Sequence, residues 1–80
     1  MIKEIELNLN SIENVKSFVD INTKFSGNID VSSERYLVDG KSILGVFSLN
    51  LINPVKLTIS ADDDKDIEEL LKQYSDLNLI

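Results

Sequence analysis

The stretch DGKSILGVFSL, residues 39–49, places the triplet Gly-Lys-Ser directly before an apolar segment. The same triplet ends the phosphate-binding loop of many nucleotide-binding proteins, whose motif begins with a further glycine five residues earlier. In this chain Arg35 occupies the position of that first glycine. The stretch is therefore not a nucleotide-binding loop, and its composition has to be explained by how it folds.

The apolar segment predicts a short helix over residues 42–49. Ser42 suits the N-cap position of this helix, because a serine hydroxyl can accept a hydrogen bond from a free backbone N–H of the first turn. The residues predicted to share one face are Ile43, Val46 and Phe47.

Strand patterns flank this helix on both sides. Two short strands with a tight connection at Ser33 and Glu34 precede it, and a strand with alternating apolar residues follows the Asn53-Pro54 breaker. The N-terminal segment alternates in the same way and predicts a half-buried strand. The four segments are IKEIELNLN (2–10), IDVSS (29–33), RYLVDG (35–40) and VKLTISA (55–61).

Two longer helices are predicted at residues 11–24 and 64–74. Asn10 or Ser11 suits the N-cap position of the first helix. Glu13 is placed either to bond back to the capping residue or to face the positive end of the helix dipole. The acidic run DDDKD begins the second helix. Their apolar stripes are Ile12, Val15, Phe18 and Val19 in the first helix, and Ile67, Leu70, Leu71 and Tyr74 in the second.

The predicted order is βαββαβα within a single domain, residues 1–80. In a strand that alternates between apolar and polar residues, the apolar side chains all lie on one face of the sheet, and other elements must cover that face. We therefore expect an α+β fold, an open-faced β-sandwich in which three helices pack on one face of a four-stranded antiparallel sheet.

The composition excludes several classes of function. A net charge of −6 disfavours nucleic acid and anionic membranes as partners, and no apolar run approaches membrane-spanning length. The chain has neither His nor Cys, which excludes histidine-based catalysis, imidazole or thiolate metal sites, and phosphohistidine chemistry. We expect a cytoplasmic protein that is not an enzyme and carries no cofactor.

The acidic run from Asp62 to Glu69 does not form a calcium-binding loop. Counted from Asp62, the glycine and glutamate positions of such a loop hold Ile67 and Gln73. Carboxylates at the start of a helix are explained by capping and by the helix dipole. We expect no metal site.

The segment KSILGVFSL, residues 41–49, closely resembles the part of HPr, the phosphocarrier family of the bacterial sugar phosphotransferase system, that holds its regulatory serine. The segment LTISADD (57–63) resembles the family's last strand and the turn after it, and KFSGNIDV (24–31) resembles the end of its first helix and its second strand. The fold that this resemblance implies agrees with the predicted order of elements.

The first helix departs from the family pattern Gly-[Leu/Ile]-His-Ala-Arg-Pro. When the first helix of this chain is aligned with that of the family, Ser11 takes the position of the acceptor histidine. Glu13 then takes the position of the arginine, and Asn14 that of the proline. Phosphoserine is a stable ester, and a glutamate would repel a phosphate that an arginine would neutralise. The resemblance therefore implies a divergent member without the carrier function, similar in this respect to the catabolite-repression HPr paralogue.

The resemblance gives Ser42 a second interpretation, as a regulatory site phosphorylated by an HPr-type serine kinase and read by a transcriptional regulator. Its alternative is a plain helix cap. Ile43, Leu44 and Phe47 would form a partner-docking patch on the short helix, unless loops or a second subunit cover them. We expect a monomer or weak homodimer.

Three functions follow from these observations. The first is a regulatory, protein-interaction module in which Ser42 is the candidate phosphosite. The second is a structural or self-associating domain without phosphorylation. The third, which the missing histidine disfavours, is a phosphocarrier acting in sugar uptake.

Overall fold

The computed structural model describes residues 1–80 and contains four strands and three helices. They are β1 (Ile2–Leu7), α1 (Ile12–Thr23), β2 (Asn28–Ser33), β3 (Tyr36–Asp39), α2 (Ile43–Phe47), β4 (Val55–Ser60) and α3 (Asp64–Asp76). No helix has both the length and the apolar character needed to cross a membrane.

The strands form one antiparallel sheet in the order β1-β4-β2-β3. Alternation decides which side chains face the helices. In β4, for example, Val55, Leu57 and Ile59 are fully buried, whereas Lys56 between them is exposed. The helices cover one face only, which confirms the predicted open-faced α+β fold.

The core lies between this covered face and the helices and contains 17 buried apolar residues. The stripe of α3 contributes Ile67, Leu70 and Tyr74, with Leu71 half-buried beside them. At its centre the rings of Phe18 and Tyr74 pack with their centroids 5.5 Å apart.

The helix boundaries differ from the predicted ones by one or two residues: α1 and α2 are Ile12–Thr23 and Ile43–Phe47 instead of 11–24 and 42–49, and α3 ends at Asp76 instead of residue 74. Asn78 has a positive φ of 59°, a left-handed conformation that asparagine tolerates. It lets the N–H of Leu79 bond back to the carbonyl oxygen of Tyr74 at 3.0 Å. Leu79 is thereby buried against the core, and this contact stabilises the two additional helical residues.

Two strand ends also differ from the prediction. The structure ends β1 at Leu7, although the alternation continues and Leu9 is buried beyond the strand. The β2–β3 turn consists of Glu34 and Arg35, one residue later than predicted, because Ser33 still pairs with Tyr36. Glu34 has the positive φ of 55° that this tight connection requires.

Candidate functional site

Ser42 is the N-cap of α2. Its backbone is extended, and its Oγ accepts a hydrogen bond from the N–H of Gly45 at 3.1 Å. The side chain is exposed to solvent. Six residues later the helix ends at the C-cap Ser48, whose Oγ donates to the carbonyl oxygen of Gly45 at 2.6 Å.

Gly40, two residues before Ser42, approaches β2 closely. Its N–H donates to the carbonyl oxygen of Ile29 at 2.7 Å, and a Cβ on Gly40 would lie 2.6 Å from Cγ2 of Ile29. No glycine in the chain has a positive φ. Glycine is therefore required here because a side chain would clash with β2, not because the backbone conformation is unusual.

The side chain of Lys41 is directed to the end of α1. Its Nζ donates to the carbonyl oxygen of Phe25 at 2.7 Å, and its backbone N–H donates to Oδ1 of Asp39 at 2.9 Å. The last turn of α1 contains no basic residue of its own. Lys41 supplies the positive charge that a helix C-terminus favours, so it is tied to α1 rather than free beside Ser42.

The apolar side chains of α2 differ widely in burial. Val46 is fully buried, whereas Ile43 and Phe47 are 38% and 39% exposed and Leu44 is 80% exposed. The predicted helical face of Ile43, Val46 and Phe47 is thus only partly covered. The role of Ile43, Leu44 and Phe47 in docking a partner stays a prediction.

Ser11 is the N-cap of α1, and its Oγ accepts a hydrogen bond from the N–H of Asn14 at 3.0 Å. The bond back to the segment before the helix comes from Asn14, whose Nδ2 donates to Oδ1 of Asn10 at 2.9 Å. Glu13 is exposed and makes no such bond, although the sequence suggested it as one possibility. It places a negative charge in the first turn.

Ser11 and Phe47 line the same apolar groove, an open depression of about 410 Å³ between the start of α1 and the end of α2. Its remaining lining residues are Leu9, Asn10, Ile12, Val15, Leu51 and Ile52. Ile12 belongs to the predicted apolar stripe of α1, but it is 64% exposed. Ile52, which the sequence did not single out, is 90% exposed in the loop before β4.

Two titratable groups have shifted pKa values, and neither lies in the groove. Burial raises the pKa of Tyr74 far above its ordinary value. On the open face of the sheet, the hydrogen bond to Glu4 and the negative charge of that residue raise the pKa of Lys56, and the Nζ–Oε2 distance is 2.7 Å.

The acidic run is exposed, with Asp63 as the N-cap of α3.

Comparison with solved structures finds the same fold in proteins named HPr. HPr-C-His from Thermoanaerobacter tengcongensis is 29% identical, with a TM-score of 0.72 and 88% of each chain covered. HPr from Bacillus anthracis is 20% identical, with a TM-score of 0.67 and 91% of this chain and 94% of the other covered. The histidine-containing phosphocarrier protein of a mycoplasma is 18% identical, with a TM-score of 0.70 and 98% of each chain covered.

A search among curated proteins gave no significant match. The sequence pattern of the family described as "PTS HPr component phosphorylation site" matches residues 13–77. This match covers most of the chain, including α2 and every strand except β1. The chain therefore belongs to the HPr family of phosphotransferase-system components.

Proposed function

We propose that this HPr-family domain acts as a regulatory protein-interaction module and not as a phosphoryl carrier. The observation that carries the proposal is the complete absence of histidine from the chain. A carrier needs a phosphoryl group with high transfer potential, which the nitrogen of an imidazole provides and a serine ester does not. The start of α1, where we place the acceptor position, holds Ser11 as a helix cap beside an exposed glutamate.

Ser42 is the proposed regulatory phosphosite. Its side chain is exposed, and it directly precedes Ile43, which is partly exposed, and Leu44, which is largely exposed. A phosphate would add a charge of about −1.5 to −2 beside this apolar surface. The charge would change which partners can dock without requiring a change of fold, because Ser42 already lies outside the core.

The proposed partner is a protein, either an HPr-type serine kinase or a transcriptional regulator. The docking surface comprises Ile43, Leu44 and Phe47, together with the apolar groove that Phe47 shares with α1. The polar residues that line the groove, Asn10 and Ser11, are uncharged. An apolar centre with a polar rim is typical of protein–protein interfaces.

The test has two arms, each with a defined enzyme. A purified HPr-type serine kinase with ATP should phosphorylate the wild type and Ser48→Ala but not Ser42→Ala, as read by mass spectrometry. Ser48 is the matched control, because it is also an exposed serine of the same segment. Absence of phosphate from the wild type would remove Ser42 as a phosphosite.

The second arm uses phosphoenolpyruvate and the first enzyme of the phosphotransferase system, with HPr from Bacillus anthracis as the positive control. We expect no phosphate on this chain while the control becomes labelled. Acid-labile phosphate that passes from this chain to a sugar-specific acceptor would overturn the proposal and favour a carrier.

A further inference from the structure

Asn22 is one of only two polar residues in the core, the other being Ser33. It lies in α1 with no exposed surface, and its side-chain amide joins two distant parts of the chain. Its Nδ2 donates to the carbonyl oxygen of Gly40 at 2.7 Å, and its Oδ1 accepts a hydrogen bond from the hydroxyl of Tyr74 in α3. Both polar atoms of the amide are therefore satisfied inside the core.

The carbonyl oxygen of Gly40 determines which way this amide is oriented. The carbonyl oxygen of Gly40 can only accept a hydrogen bond, so it must face the NH₂ group of Asn22. Oδ1 is then left to accept a hydrogen bond from the Tyr74 hydroxyl. Tyr74 is fully buried, so water does not compete for this hydroxyl. The tyrosine ring is itself held in place by packing against Phe18.

The carbonyl group of Gly40 belongs to the turn that leads into α2. On the other side of the same residue, the Gly40 N–H is bonded to Ile29 in β2. The Ser42 N–H closes the turn by donating to the carbonyl oxygen of Asp39 at 3.0 Å. Gly40 is thus fixed between β2 and α1, two residues before the N-cap serine.

We infer that Asn22 is the positioning residue for the turn that presents Ser42, and that Tyr74 couples α3 to this turn by holding the Asn22 amide. The inference deepens the proposed function and rests on it only for the biological importance of Ser42. The physical coupling depends on the hydrogen bonds alone.

The coupling has a specific signature, because replacing Asn22 leaves two different groups without a partner. One is the Tyr74 hydroxyl, whose loss of a partner destabilises the core as a whole. The other is the Gly40 carbonyl oxygen, which loses its bond to α1 and frees the turn. Removing the tyrosine hydroxyl as well should repair the first defect but not the second.

The test uses Asn22→Leu, Tyr74→Phe and the double variant Asn22→Leu/Tyr74→Phe, with backbone hydrogen exchange followed by NMR. In Asn22→Leu the protection of the Ser42 and Gly45 amides should fall at least tenfold more than that of the β4 amides. The double variant should recover global stability relative to Asn22→Leu, while the Ser42 and Gly45 amides remain fast. Equal loss of protection in the turn and in β4, or joint recovery of both, would overturn the inference.

Ser33→Ala is the matched control. It also removes a bond from a core polar side chain to a loop carbonyl, since Ser33 Oγ donates to the carbonyl oxygen of Asn50 at 3.3 Å. Its local effect should be confined to the loop around Asn50. The exchange protection of the Ser42 amide should then change only as much as the global stability of the protein changes. Selective loss at Ser42 in this control would show that the turn responds to any core defect.

The wild type provides a measurement that does not depend on a variant folding. The side-chain amide of Asn22 and the backbone amides of Ser42 and Gly45 should open together, with the same dependence on denaturant. Separate opening events for these groups would contradict the coupling. Because no kinase or partner is involved, this result is independent of whether Ser42 is phosphorylated.

Discussion

Lys41 and Phe25 are joined by a hydrogen bond of 2.7 Å between the lysine Nζ and the phenylalanine carbonyl oxygen, across 16 residues of sequence. The lysine beside Ser42 therefore serves the C-terminus of α1. Ser42 Oγ makes its hydrogen bond with the N–H of Gly45 and none with Lys41, so a phosphate on Ser42 would lie beside Ile43 and Leu44, which are 38% and 80% exposed.

Replacing Lys41 should test this role directly. Lys41→Met keeps the alkyl chain but loses the bond to Phe25, and we expect the free energy of unfolding to fall by about 1 kcal/mol. Lys16→Met is the control, because Lys16 is an exposed lysine of α1 without an ion-pair partner, and it should change stability by less than about 0.5 kcal/mol. Urea unfolding curves measure both. Equal effects of the two substitutions would contradict the role of Lys41.

Restoring a histidine at the start of α1 should not restore phosphotransfer. In Ser11→His the carboxylate of Glu13 remains in the first turn, where it repels an incoming phosphoryl group. We expect no labelling from phosphoenolpyruvate and the first enzyme of the phosphotransferase system, measured as acid-labile phosphate. Labelling of Ser11→His/Glu13→Arg but not of Ser11→His would identify this charge as the obstacle, whereas labelling of Ser11→His would disprove the prediction.

The free energy of unfolding should decrease in alkaline solution, because the buried Tyr74 ionises less readily in the folded protein than in the unfolded chain. Burial raises the pKa of Tyr74 in the folded state above its unfolded value of about 10, so its neutral form is favoured by folding. The corresponding stability is fully present below about pH 10 and is lost progressively as the pH rises above it.

Urea unfolding between about pH 8 and pH 11 measures this dependence. Tyr74→Phe should reduce the alkaline loss, whereas Tyr36→Phe should not, because Tyr36 is 66% exposed. The same slope in the wild type and in Tyr74→Phe would show that Tyr74 is not the responsible group.

The docking surface can be tested with two matched leucines. Leu44 in α2 and Leu37 in β3 are 80% and 68% exposed, so Leu44→Ser and Leu37→Ser should both leave stability within about 0.5 kcal/mol of the wild type. Only Leu44→Ser should raise the KM of the serine kinase, by about fivefold, which corresponds to about 1 kcal/mol of lost contact. Equal KM values for the two variants would remove Leu44 from the docking surface.

Local patterns in the sequence predicted most of the fold. The alternation of Val55, Leu57 and Ile59 is a property of a single strand, and these residues are buried as expected. Ser42 likewise caps its helix with a bond to a residue three positions away. Such features need only the period of the element or one neighbouring turn, so they can be inferred without knowledge of the rest of the chain.

Only the tertiary structure decided which side chains are covered and what the polar ones bind. Ile12 fits the apolar stripe of α1 but is 64% exposed, because it lines the open groove that the start of α1 shares with Phe47 of α2. The sequence pattern did not single out Asn22 of the same helix, because its partners Gly40 and Tyr74 are 18 and 52 residues away in the chain. Burial and hydrogen bonding depend on which distant elements meet, and a helical period places a residue on a face without specifying what covers that face.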